Sequence, residues 1–264
     1  MIVELCRQEG IKLLTQKYPY LLLGIVLAVE AAYMMATGLT PAKTSLHVVT
    51  APQLFAEGVG WGLRFGVYML LVLGAMGFSQ EFALGTVKTV LILPIRRHQW
   101  VAAKLVALIV LAWGMLLASV VLGIALAAVI VGWGDVARSG VLLYSLGQVW
   151  SHLLTATGLT ALFLLPVCAF ALLASVYFNS SGAAVGVTLV LGIVVESAAE
   201  MLDQGRWVFF HHLHVPFGQI VKLGKGLPFR WEDSLTWGLA VGAVTFAVFA
   251  GWLTVRLQRM DITE

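Results

Sequence analysis

The chain has 264 residues, 60% of them hydrophobic and 11% charged, against roughly 45–50% apolar and about 25% charged in an ordinary soluble domain. With a mean hydropathy of +0.95, that balance excludes a water-soluble globule and predicts an all-α polytopic membrane protein, with one membrane domain over 1–264. A net charge of +3 does not make a nucleic-acid binder, because the sixteen Lys and Arg are scattered and no run exceeds Arg96-Arg97. Cys6 and Cys168 fall in a polar stretch and an apolar span, which excludes a disulfide framework or a CxxC metal site.

Residues 1–18 come first. Glu4, Arg7, Glu9, Lys12 and Lys17 precede the apolar run and no small-residue cleavage site follows, so the segment does not read as a cleavable signal peptide. Ile2, Leu5, Cys6 and Leu13 fall on one side, which predicts an amphipathic helix at the membrane interface; a solvated tail is the alternative. A spanning helix needs about 20 mostly apolar residues, and six stretches qualify: 19–38, 60–80, 100–131, 148–175, 183–200 and 234–255. The third and fourth exceed what a bilayer requires and must tilt, break or run past its surface, with Pro166 a candidate break. An even span count puts both termini on one side together with the connection between the second and third spans. Nine Lys and Arg fall there against seven opposite, four of the seven in the long loop 201–233. The positive-inside rule then places both termini in the cytoplasm.

The most informative connection runs from Glu81 to Trp100, EFALGTVKTVLILPIRRHQW. Gly85 loosens the chain, Thr86 can cap a new helix through its side-chain oxygen, and Pro94 ends that helix about two turns later. Helical spacing puts Glu81, Gly85, Lys88 and Thr89 on one face, open to contact, while Val87, Val90 and Leu91 pack inward. Ordinary loop punctuation is the plainer account of the Gly-Thr and Pro.

In this order of residues the segment resembles the permease subunits of bacterial ATP-binding-cassette exporters of the ABC-2 type. Those commonly show an acid at the end of the second span, Gly-Thr, a short apolar helix, Pro, a basic or Ser-Arg pair, and a Lys opening the third span. The matching residues are Glu81, Gly85, Thr86, Pro94, Arg96, Arg97 and Lys104, with Arg96 in place of the usual Ser. The resemblance implies that 81–99 is a cytoplasmic coupling segment, with Glu81, Gly85, Thr86, Lys88, Thr89, Pro94, Arg96 and Arg97 addressing a separate ATPase subunit. It further implies two permease copies, identical or homologous, in the bacterial cytoplasmic (inner) membrane, surrounded by lipid, with ATP and Mg held on the ATPase partner. A short helix fused to two spans would convert a push from outside the membrane into their rocking. No cofactor is expected in this chain. The nearest approach to a phosphate loop, Gly218 to Gly226, has five residues between its glycines and Gly226 after the Lys, where a Walker A loop needs four and a Ser or Thr.

Ionisable residues inside spans are functional candidates by default, and here they are Glu30, Arg64 and Glu196. Adjacent antiparallel spans would bring Glu30 and Arg64 to a similar depth, so a structural ion pair is expected, with a substrate-pathway role as the alternative; His152 reads as an interfacial residue. In loop 201–233, His211, His212 and His214 could join His47 on zinc or copper, but no Cys is near, and neighbouring histidines cannot all face one ion without a bent backbone. Trp207, Phe209, Phe210, Pro216 and Phe217 point instead to an interfacial or re-entrant segment with rings at headgroup depth. No nucleophile elbow, catalytic carboxylate pair or HExxH string occurs; Glu196 and Glu200 read as the polar exit of a span. The expectation is a non-catalytic subunit that forms a translocation pathway and couples it to ATP hydrolysis elsewhere. The rivals are an ion-coupled secondary transporter, which needs mid-membrane coupling groups and broken-helix repeats, and an integral membrane enzyme, which needs a convergent polar site.

Overall fold

The computed structural model describes residues 2–39, 49–86, 97–138, 141–201, 205–228 and 230–259. They form eight α-helices and one hairpin: α1 (Ile2–Thr15), α2 (Tyr18–Gly38), α3 (Ala51–Ala83), α4 (Arg97–Ile130), β1 (Val136–Arg138), β2 (Val141–Tyr144), α5 (Leu146–Ser175), α6 (Ser181–Met201), α7 (Phe209–Gly224) and α8 (Glu232–Arg259). Six of these helices, α2 to α6 and α8, are long and apolar enough to cross a membrane, so the architecture is an all-α multi-pass membrane fold. Both terminal helices meet the end of α3 or the start of α4 at one end of the bundle, hereafter the terminal end. There α1 packs on α4, and Arg97 Nη1 donates to the carbonyls of Leu257 (2.8 Å) and Gln258 (3.2 Å) at the end of α8. The hairpin and the α7–α8 connection lie at the other, distal end.

Local signals explain the helix limits. Thr50 precedes α3 and Pro52 occupies its first turn, where a missing N–H costs nothing and the fixed φ suits the helix. The second span therefore begins nine residues before the expected position 60. Gln53 and Glu57, which make 51–59 look like loop, satisfy each other one turn apart at 3.2 Å, and Tyr33 Oη donates to Glu57 at 3.1 Å. A reciprocal capping box of Ser145 and Gln148 opens α5. That helix runs unbroken through Pro166, so the expected break does not occur. Gly132, with φ of +82°, turns the chain out of α4 in the left-handed region that favours glycine, and the hairpin follows.

Helix α3 sits at the centre, packed against α2, α4, α5, α6 and α7. Its seam with α2 is built on spacing. Gly58, Gly62 and Gly66 recur every four residues and so share one face, and opposite them stand Met34, Glu30 and Val26, also four apart. A Cβ on Gly58 would collide with Met34, one on Gly62 would lie 2.9 Å from Glu30 Oε2, and one on Gly66 would touch Val26 at 3.8 Å. Small residues of this kind let membrane helices approach closely.

The loop expected over 201–233 contains α7, a buried helix. Its residues Phe210, Leu213, Phe217, Ile220 and Leu223 are enclosed, with Phe217 against Phe55 of α3 (6.0 Å) and His212 against Phe163 of α5 (5.9 Å). Its last carbonyl, at Gly224, accepts from Thr50 Oγ1 at 2.9 Å. The chain therefore dips into the bundle and climbs back to the start of α3, a re-entrant course. Headgroup-level rings are the wrong picture for Phe209, Phe210 and Phe217, which are core; Trp207, at 55% exposure, is the ring left outside.

Candidate functional site

At the terminal end, the last turns of α3 and the first turns of α4 carry charge into an apolar setting. Glu81, two residues before the end of α3, is 4% exposed, and Lys104, on the second turn of α4, is 5% exposed. Lys104 Nζ donates to Glu81 Oε1 at 2.8 Å and to Glu9 Oε2 of α1 at 3.1 Å. Lys12 of α1 donates to the same Glu81 oxygen. Two acids and two bases thus sum to no net charge, the condition under which buried ions are tolerable. Lys104 also stands over the rings of Phe78 (5.2 Å) and Trp100 (5.6 Å), which favours a cation through the ring quadrupole. A small cleft of about 40 Å³ opens beside the cluster, lined by Glu9, Lys12, Gln80, Glu81 and Lys104 among others.

The sequence reading of this segment needs one correction. Glu81 does not share an open face with Gly85, because its carboxylate is drawn inward by Lys104 and Lys12. The Thr86 hydroxyl turns back and donates to the Glu81 carbonyl at 3.4 Å, where α3 has carbonyls left over; the helix it was expected to cap lies outside the described residues. Gly85 terminates α3 in a left-handed conformation, φ +67°, a role more specific than loosening. Arg97 caps the carbonyl end of α8, as a cation near a helix C-terminus should. Lys88, Thr89, Pro94 and Arg96, with the expected short helix itself, lie outside the described residues. Glu9 and Lys12 were read only as charges turned away from an apolar side. Their sign was legible; their reach to Glu81 and Lys104 depends on how α1 folds back onto α4, which no local pattern encodes.

A model of the family described as "Protein of unknown function (DUF2705)" matches residues 23–263. The chain belongs to the DUF2705 family. No curated protein matches the sequence. Within this DUF2705 protein the matched stretch holds Glu81, Lys104, Glu30, Arg64 and Glu196, whereas Glu9 and Lys12 precede it.

The intramembrane groups of the DUF2705 chain do not pair as expected. Glu30 receives its hydrogen bond from Ser119 of α4, and Arg64 stands exposed on α3 with its guanidinium 5.6 Å from the Trp61 ring. The reason is angular: Glu30 faces the Gly62 side of α3, and Arg64, two residues on, is turned about 200° away at 100° per residue. Glu196 is held instead by Tyr68 Oη of α3 and by His214 Nε2 of α7, the latter at 3.4 Å. The three histidines diverge: His212 Nε2 lies 2.7 Å from the Arg206 carbonyl, His214 turns to Glu196, and the His211 and His212 rings are crossed at 83°. Among the described residues no three His, Cys, Asp or Glu side chains gather as a metal set. His152 accepts from Trp231 Nε1 at 3.1 Å, tying the start of α5 to the approach to α8.

Proposed function

We propose that this protein is the transmembrane subunit of an ATP-driven exporter of the ABC-2 type, in which a separate ATPase subunit acts on the segment that joins α3 to α4. The observation that carries this reading is the neutral four-charge cluster of Glu9, Lys12, Glu81 and Lys104. It binds α1, α3 and α4 together at the two helix ends that this segment joins, so a push delivered there moves three helices as one body. Arg97 extends the same body to the end of α8. In this reading the terminal end faces the cytoplasm of a bacterium, the chain performs no chemistry, and ATP and Mg belong to the ATPase.

The exposed Arg64–Trp61 face of α3 supports the second half of the reading. A charge at that depth is costly against lipid and is tolerated facing protein or water. A second permease, identical or homologous, would cover that face and enclose a translocation pathway. ATP-driven closure would shift the pathway between two states through its differential affinity for them.

Affinity purification from the native membrane in mild detergent, read by mass spectrometry, tests the reading. A stoichiometric cassette ATPase that is lost on Lys88→Glu is the expected result. An intact chain that brings down no ATPase refutes it. That outcome would favour the ion-coupled transporter, for which the buried Glu30 is the specific observation, and proteoliposomes of this chain alone would then show uptake driven by an ion gradient.

A further inference from the structure

We propose that Glu30 is a proton-binding site at the junction of α2, α3 and α4, occupied in the arrangement described here. This inference rests on geometry and does not depend on the exporter reading. Glu30 lies twelve residues into α2, about 18 Å along the helix at 1.5 Å per residue, and its relative exposure is 0%. Oε2 accepts from Ser119 Oγ, and Oε1 has no hydrogen-bond partner. The carboxyl is cradled by two glycines: a Cβ at Gly62 would stand 2.9 Å from Oε2, and one at Gly123 would stand 2.9 Å from Oε1. The space is shaped to the carboxyl itself.

What surrounds the group decides its state. Helix α3 presents Gly62, while its charged residues are committed elsewhere: Glu57 to Tyr33, Gln53 and Lys225, Arg64 to the Trp61 ring on the exposed side and electrostatically to Glu196, and Glu81 to Lys12 and Lys104. Helix α4 presents Ser119 and Gly123, and α5 contributes Leu164 to a small adjoining cleft of about 20 Å³ that Gly62 and Ser119 also line. Among the described residues no Lys, Arg or His forms an ion pair with Glu30. A carboxylate here would exchange its hydration shell for one hydroxyl, and a buried ion in that position neutralises instead. The neutral acid asks far less of the site: Ser119 donates to one oxygen, and a single hydroxyl left without an acceptor costs less than an unpaired charge. Losing the proton requires water or a cation to reach the carboxyl, which means parting α2 from α3 and α4. Proton occupancy and helix packing are therefore linked at this point.

Infrared spectroscopy of the whole chain in phospholipid nanodiscs at neutral pH tests the assignment. A protonated carboxyl has a carbonyl stretch well separated from the carboxylate bands. We expect this band in the wild type, its loss in Glu30→Gln, and unchanged thermal unfolding of that variant, because the amide is a neutral isostere. Carbon-13 glutamate in the wild type should shift the band, a readout that needs no variant to fold. Absence of a protonated glutamate band from the labelled wild type overturns the proposal. So does its removal by added sodium at constant pH, which would make Glu30 a metal-cation site.

Discussion

Replacing Lys104 by Met keeps most of the side-chain volume and removes the cation that bridges Glu81 and Glu9. Both Lys104 and Glu81 are almost fully enclosed, and removing one partner of such a buried pair costs about 3–5 kcal/mol because the other charge is stranded. Lys12 remains on the same Glu81 oxygen and is half exposed, so the stranding is partial and the lower end, about 3 kcal/mol, applies. That is about a hundredfold in the folding equilibrium. The double variant Lys104→Met/Glu81→Gln strands no charge on either α3 or α4 and should lose only about 1 kcal/mol, a non-additivity that marks direct interaction. Reversible unfolding in mixed micelles, followed by intrinsic tryptophan fluorescence, measures both. A cost below about 0.5 kcal/mol for the single variant, the range of an ordinary surface substitution, or simple additivity in the double, would falsify the claim that these charges hold the terminal end together.

Gly85→Ala should cost about 1–2 kcal/mol from its left-handed backbone alone, since the space around it is open, and Gly85→Asn should cost less; thermal unfolding of the two variants separates strain from packing. Arg64→Ala should change folded yield and unfolding by no more than about 0.5 kcal/mol, because the side chain is exposed and does not hold Glu30, while transport in a reconstituted complex falls. A large loss of folded protein would restore the Glu30–Arg64 pair. Leu213→Cys should stay unmodified by a membrane-impermeant maleimide in the folded protein, and Lys222→Cys on the exposed side of α7 should react; equal labelling would place α7 at the surface.

The six spans were legible because twenty-residue apolar runs have few other meanings, and α1 was legible from the segregation of its charges. The start of α3 was not, since Pro52, Gln53 and Glu57 carry loop chemistry that only Tyr33 and Lys225, from distant segments, make acceptable in a helix. Helix α7 was half legible. Its aromatic content announced a membrane-associated segment, but whether those rings meet headgroups or a protein core depends on the groove between α3 and α5. At the candidate site, Glu81, Arg97 and Lys104 could be found by their order along the chain. The orientation of Glu81 could not, because it is set by Lys12, 69 residues away. The expected Glu30–Arg64 pair failed on a matter of angle: equal depth in neighbouring helices does not place two side chains on the same side.

The four-residue spacing shared by Met34, Glu30 and Val26 on α2 and by Gly58, Gly62 and Gly66 on α3 makes their seam a scale with discrete marks. Displacing α2 by one helical turn, about 5.4 Å, would return two of the three bulky side chains to a neighbouring glycine and drive the third against Leu54 or Leu70, so the ends of the glycine run already resist the step. Only the middle tooth is different in kind. Glu30 finds Ser119 at a single setting, and a one-turn slip would leave its carboxyl against Gly58 or Gly66 with no hydroxyl opposite. The leucines that bound the glycine run and one polar contact inside it thus choose together the step on which the bundle rests.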